Sequence, residues 1–323
     1  MMTKKVFKEH PKTIIFASFC ILLLIAFKTW DSCAPLSVHD WNKREISRVK
    51  VTDSDNFTFA VFGDNQGNSS FFEPLLRDIE HRQEIAFAID VGDLVSSGEK
   101  KHFRHFLNQV QGHLAIPLFT VLGNHDLNGD SSENYMKVFG STYYAFQVGK
   151  SYFIVLDTST PSIFGKTQRR WLEEELKKAQ PSKARFVFMH VPLFDPRGMG
   201  FCLPEKDGKE LIDLFRSYQV THLFTGHIHG YFSGVWEGVP YTITGGAGGR
   251  LQGSAPEHYF HHYVQVYIHN AKTDMIVRRV DERDYIARVR DAMRDYIFGW
   301  GLLIGASISL LLLGLSLKSG HSS

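Results

Sequence analysis

Five short blocks of this chain carry carboxylate, carboxamide and imidazole groups. In chain order they are Gly63-Asp64-Asn65-Gln66, Gly92-Asp93, Gly123-Asn124-His125-Asp126, His190 and Gly226-His227-Ile228-His229. These are the usual ligand groups for hard or borderline divalent cations. A single glycine-flanked histidine pair would carry little information. Five ligand-bearing blocks, four of them directly after an apolar run, read together as a site for two metals.

The elements that must position these blocks are legible as alternating patterns. Apolar, β-rich runs at 57–62, 85–89, 118–122, 186–189 and 222–225 predict strands, each ending at one of the blocks. Helical spacing covers 70–82, 99–111, 167–179 and 208–218. Residues 143–148 and 152–156 flank Gly149-Lys150 as a hairpin, and the remainder to about 280 is β-rich, with Gly245–Gly249 as a flexible turn. Strand, ligand turn, helix and strand in succession indicate βαβ units. Strands that are apolar throughout imply sheets buried on both faces. The expected architecture is therefore α/β (α+β): two sheets packed as a β-sandwich flanked by helices, with the metals at the carboxyl ends of the strands.

The flanks carry a different signal. Residues 13–27 are uninterrupted and apolar between Lys12 and Lys28, and residues 296–317 are apolar and uncharged. The second run is long enough to span a bilayer as a helix; the first is short, with flanking lysines that can snorkel and Trp30 at the interface. The only small-residue cleavage option, Ser32-Cys33-Ala34, is followed by Pro35, so an uncleaved signal anchor is expected. The resulting plan has a basic tail (1–12), a signal anchor (13–30), a linker (31–55), a catalytic domain (56–280), a juxtamembrane segment (281–295), a second span (296–317) and a tail (318–323). Lys4, Lys5, Lys8 and Lys12 favour an extracytoplasmic domain; the arginines between 278 and 294 pull the other way. The formal charge of +2 gives no concentrated basic surface, and no nucleic-acid partner is expected. The three cysteines include no CxxC pair; free thiols and a Cys33–Cys202 disulfide are both compatible with the spacing.

The blocks resemble those of the calcineurin-like metallophosphoesterase superfamily, whose pattern is D-x-H, G-D, G-N-H-[DE], H and G-H-x-H in that order. The resemblance covers roughly 57–250 and implies two divalent metal ions, with manganese, magnesium, iron and zinc all open. It implies that one metal takes Asp64, Gln66, Asp93 and His229, and the other Asp93, Asn124, His190 and His227. Asp93 suits the shared position, because two cations ~3.5–4 Å apart need negative charge between them. The implied chemistry is attack of a metal-bridging hydroxide on a phosphate ester or anhydride, with His125 protonating the leaving group and Asp126 orienting that imidazole. Gln66 stands where the family usually has histidine, and its carboxamide oxygen should disfavour zinc relative to manganese or magnesium. Ser96 replaces the tyrosine of purple acid phosphatases. Leu94-Val95-Ser96-Ser97 and Asp126 depart from the arginines and glutamate of Ser/Thr protein phosphatases.

Weaker signals remain. Arg250, after the glycine run, is a candidate for meeting a substrate phosphate. Residues 197–203 read as an apolar, glycine-flanked loop near the site, either a lid or lipid-facing lip or a segment packed on the fold. His102 and His105 read as solvated, and His258, His261 and His262 as non-ligands. The double anchor suggests a lipid-linked phosphate or another phosphorylated small molecule as substrate, with the bilayer as partner. The alternatives are a nucleotide or cyclic-nucleotide phosphodiesterase and a non-catalytic scaffold.

Overall fold

A computed structural model describes residues 38–160, 164–270 and 272–281, with isolated positions in the flanking segments. The runs at 13–27 and 296–317 lie, apart from Ser18, Phe19 and Leu22, outside the described residues. Among the described residues, no helix is long and apolar enough to cross a membrane.

Eleven strands of the described chain form two sheets. The first has the order β11-β10-β1-β2-β3, made of β1 (Asn56–Phe62), β2 (Ile85–Asp90), β3 (Leu118–Thr120), β10 (His262–His269) and β11 (Lys272–Arg279). The second has the order β4-β5-β6-β7-β9-β8, made of β4 (Tyr144–Val148), β5 (Ser151–Val155), β6 (Ala184–Met189), β7 (His222–Thr225), β8 (Tyr231–Trp236) and β9 (Val239–Thr244). β1, β2 and β3 run parallel, as do β5, β6, β7 and β9, so the ligand blocks leave each sheet at its carboxyl ends. The hairpin expected around Gly149-Lys150 pairs Val148 with Ser151.

The central strands β1, β2, β3, β6 and β7 are apolar on both faces because both faces are covered. Between the sheets lies a phenylalanine-rich layer that includes Phe59, Phe87, Phe153, Phe186, Phe188 and Phe224. Phe59 stacks on Phe87 at 5.3 Å and meets Phe153 edge-on at 5.5 Å, the geometries that aromatic quadrupoles favour. Outside the first sheet pack α2 (Ser69–Glu80), α3 (Lys100–His113) and α4 (Glu133–Phe139), burying Phe72, Leu76, Phe103, Phe106 and Phe139. Outside the second sheet pack α5 (Lys166–Lys178) and α6 (Glu205–Ser217), through Leu172, Leu176, Leu211 and Phe215. Helix spacing explains the choice: the apolar positions of α2 recur three or four residues apart, and Asn68 caps it by accepting from the Ser70 amide at 3.1 Å.

The stretch expected to be a linker differs in part. Residues Trp41–Arg48 form α1, which lies against the outer edge of β3. The Trp41 indole donates to the Leu118 carbonyl at 2.8 Å, the Thr120 amide donates to Asn42 Oδ1 at 3.0 Å, and Arg48 reaches the Ala115 carbonyl. Side chains of this helix thus stand in for a neighbouring strand. Polar composition suggested a tether because the groups that satisfy a sheet edge are themselves polar.

Candidate metal centre

Three turns of the first sheet and two of the second converge. Asp64 follows β1, Asp93 follows β2 and Asn124 follows β3; His190 follows β6, and His227 and His229 follow β7. The turns are sharp. Asp64, Gln66, Asp93 and His227 all have positive φ, between 50° and 68°, a conformation that costs a side-chain-bearing residue on the order of 1 kcal/mol or more. Gly92 has φ 102°, and a Cβ there would lie 2.6 Å from His190 Nδ1, so only glycine lets the second block pass under that imidazole.

Hydrogen bonds fix which nitrogen of each histidine faces the centre. His190 Nδ1 lies 2.9 Å from the Val91 carbonyl, which can only accept, so Nδ1 carries the proton. Its Nε2 then faces Asp93 Oδ1 at 3.2 Å and Asn124 Oδ1 at 3.0 Å. His229 repeats the arrangement: Nδ1 donates to the Arg250 carbonyl at 2.7 Å, and Nε2 faces Asp64 Oδ1 at 3.3 Å. His227 Nδ1 points at the same Asn124 oxygen at 2.9 Å, and its amide reaches both carboxylate oxygens of Asp64 at 3.0 Å. In His190 and His229 the remaining nitrogen is a lone pair aimed at a carboxylate oxygen, which requires a second proton or a cation between them.

The proton answer leaves a large perturbation. Burial works to lower His190, but the charge and hydrogen bond of Asp93 prevail and lift it to about 10. Burial likewise opposes ionisation of Asp93, and His190 outweighs it, holding the carboxyl below its ordinary range. The Asp64 hydrogen bond raises His229 against the same opposing burial, while burial and then the neighbouring His190 charge lower His227 to about 4. The cation answer fits the donor set: ligand atoms of Asp64, Asp93 and His229 lie within 4.8 Å of one another, all three residues are buried, and the groups are carboxylate, imidazole and carboxamide.

The remaining candidates fall into place differently. Gln66 donates its amide to the Asp93 carbonyl at 3.0 Å, tying the first block to the second; its half-buried carboxamide makes no hydrogen bond among the described residues. His125 stands at the rim with its side chain 45% exposed, its amide on Asp93 Oδ1 at 2.8 Å and its Nδ1 3.1 Å from the Ser96 carbonyl. Asp126 does not orient that imidazole. It is fully buried and accepts from the backbone amides of Gly123 at 2.8 Å, and of Asp93 and Val95 at 3.1 Å, clamping the second and third blocks together. Burial and the nearby Asp93 charge push its own carboxyl well above the ordinary range. Arg250 is exposed; its contact with the centre is the carbonyl that holds His229.

Two surrounding features depart from expectation. The glycines at 245–249 are not a flexible turn but a buried strap: a Cβ at Gly249 would sit 2.8 Å from His229 Cε1. His102 and His105 are half-buried rather than solvated. His102 meets the Ser97 carbonyl at 2.8 Å and His105 the Gly67 carbonyl at 3.3 Å, so both brace turns of the centre. Cys202 is a half-buried free thiol, and Cys20 and Cys33 lie outside the described residues.

The family model of calcineurin-like phosphoesterases matches residues 57–231, more than half of the chain. The chain belongs to the calcineurin-like phosphoesterase family. This metallophosphoesterase fold uses two divalent metal ions, and the centre described above is its candidate metal site. Among curated relatives, the chain is 30% identical over 152 residues to serine/threonine-protein phosphatase CPPED1 of Rattus norvegicus, covering 42% of this chain and 49% of that one. It is 29% identical over 177 residues to the probable cyclic nucleotide phosphodiesterase RPA0124 of Rhodopseudomonas palustris, covering 50% and 64%. The chain thus spans about half the length of the CPPED1 relatives it matches. Among solved structures, the yellow lupin purple acid phosphatase PPD1 superposes with a TM-score of 0.59 at 17% identity, covering 72% of this chain and 55% of that one. A dimetal phosphatase from Danio rerio gives 0.54 at 15%, covering 69% and 96%. These likenesses establish the calcineurin-like fold.

Proposed function

We propose that this chain is a membrane-attached phosphoesterase hydrolysing a phosphate ester or anhydride, with a lipid-linked phosphate as the preferred substrate class. The observation that carries the hydrolytic reading is the pair of imidazoles, His190 and His229, each fixed by a carbonyl on one nitrogen and aimed at acceptor oxygens with the other. When bound, two divalent cations supply positive charge against phosphoryl oxygens and acidify a coordinated water. Asp93, with oxygens toward both groups of ligands, is the residue to hold both cations; Asp64 and His229 serve one, Asn124, His190 and His227 the other. His125 handles the departing oxygen. Its Nδ1 donates to the Ser96 carbonyl, so the proton for the departing oxygen would be a second one, carried on Nε2 of the doubly protonated ring, 4.0 Å from Asp93 Oδ2 at the exposed rim.

Membrane attachment rests on the apolar runs at 13–27 and 296–317, and an extracytoplasmic face on the lysines before the first. The second reading, a nucleotide or cyclic-nucleotide phosphodiesterase, is favoured by the likeness to RPA0124. Hydrolysis of nitrophenyl and bis-nitrophenyl phosphate with added manganese tests the enzyme; wild-type rates in Asp93→Ala and His229→Ala would sink the metal assignment. Turnover of lipid-linked phosphates but not soluble nucleotides separates the two readings. Protection of the domain from protease in sealed vesicles reports its side of the membrane.

A further inference from the structure

The loop after His190 is built around a buried ion pair. The Arg197 side chain is 8% exposed and that of Asp195 1%. Arg197 donates to Asp195 through Nε at 2.9 Å and Nη2 at 3.1 Å, and the amides of Arg197 and Phe201 donate to the same carboxylate. Arg197 Nη1 donates to Gln252 Oε1 at 2.8 Å; the Gln252 amide donates to the His229 carbonyl at 3.2 Å, and its carboxamide to that of His227 at 3.4 Å. The loop is therefore pinned to the same turn that carries two candidate metal ligands.

What the loop presents outward is apolar. Met199 is 63% exposed and Phe201 41%, among the few large apolar side chains so exposed in the described residues. Gly198 and Gly200 have φ of 70° and 80° and open space around them, which projects Met199 between them. The Phe201 ring has its centroid 6.1 Å from that of His227, and Arg197 lies over the ring at 5.1 Å. The hydrogen bonds of Arg197 and Asp195 close on the loop, its anchor and Tyr259, leaving apolar contact as what Met199 and Phe201 offer a ligand.

We propose that Phe201 and Met199 form a specificity shelf at the edge of the metal centre, seating an alkyl or acyl chain of the phosphoester. This deepens the lipid-linked reading above and rests on it. A thioether and a ring edge adapt to a flexible chain, and a chain half-buried on such a shelf gains about twofold in affinity per methylene, half of what full burial would give.

The test uses the manganese-loaded protein and methyl- to octylphosphonate, below micelle-forming concentrations, read by calorimetry. The same chain-length series of alkyl phosphates is read by kcat and KM. Binding should tighten with chain length in the wild type. Phe201→Ala and the double variant Met199→Ser/Phe201→Ala should flatten that dependence at least fivefold between the two ends of the series, chiefly through KM. Ile276→Ala, at a site on β11 as exposed as Phe201, should keep the wild-type slope. A wild type indifferent to chain length, or an unchanged slope in the double variant, overturns the shelf. Weakened binding to phosphatidylcholine vesicles with an unchanged slope also overturns it, and makes the loop a bilayer contact. Chain-length-dependent binding without hydrolysis keeps the shelf and fails the enzyme reading; no phosphonate binding at all fails both.

Discussion

The two halves of the metal centre orient their histidines by the same device but from different materials. His190 is fully buried, and the carbonyl that fixes it, Val91, belongs to the turn after β2 in the opposite sheet. Its position is set by the packing of two sheets over a phenylalanine core. His229 is fixed by the carbonyl of Arg250, an exposed residue at the end of a glycine strap, and the family resemblance would add to its half Gln66, whose carboxamide makes no hydrogen bond among the described residues. One half is held by the core and the other by loops. The first should bind its cation with fixed geometry, and the second should decide which cation is accepted.

The largest test of this contrast is Asp93→Asn, since Asp93 is the residue both halves share. Loss of that buried charge should weaken both metals by about 10²–10⁴-fold, from the ~3–5 kcal/mol of breaking a buried ionic arrangement. Elemental analysis after dialysis should then find both equivalents depleted. Loss of one equivalent alone would show that the halves are independent. Next in size is Gln66→His. An imidazole there should tighten zinc by roughly tenfold in one equivalent and leave the other unchanged, as a competing chromophoric chelator would report.

The last test concerns a buried histidine with no carboxylate beside it. Burial alone drives His222 down to about 3, whereas His190, still more deeply buried but paired with Asp93, goes up. A folded value below the ordinary 6.5 means that the unfolded chain binds the extra proton first. The stability His222 contributes is therefore present above pH 6.5 and lost as pH falls toward 3, by at most ~1.4 kcal/mol per pH unit. Buried His262, lowered to about 4, acts in the same direction. Urea unfolding across this window should be steeper in the wild type than in His222→Phe; equal slopes would remove the contrast with His190.

What could be read from the sequence was chemistry carried by side chains. Asp64, Asp93, Asn124, His190, His227 and His229 stand out as candidates because few residue types offer such ligands, and all but Asp93 lie in blocks that directly follow an apolar run. The strands, hairpin and principal helices followed from periodicity, with ends displaced by a few residues. The groups that orient the ligands were invisible, since the carbonyls of Val91, Arg250 and Ser96 are ones any residue could supply. Asp126 reads in sequence as a partner of the neighbouring imidazole, because proximity along the chain says nothing about the three amides that fold back onto it. The strap at 245–249 looked flexible because glycine tolerates both freedom and close approach, and only the surrounding atoms distinguish them.

Helix α1 has a consequence for how this domain behaves when cut from its flanks. β3 has only three residues and pairs with β2 on one side; on the other, Trp41 and Asn42 occupy the Leu118 carbonyl and the Thr120 amide. A version trimmed to begin at β1 would keep every candidate ligand and yet bare that rim. Unsatisfied amides and carbonyls in a row are a template for another chain. Trimming there would turn a self-contained domain into one prone to edge-to-edge association, so a well-behaved fragment starts ahead of Val38, whose side chain is already part of the core.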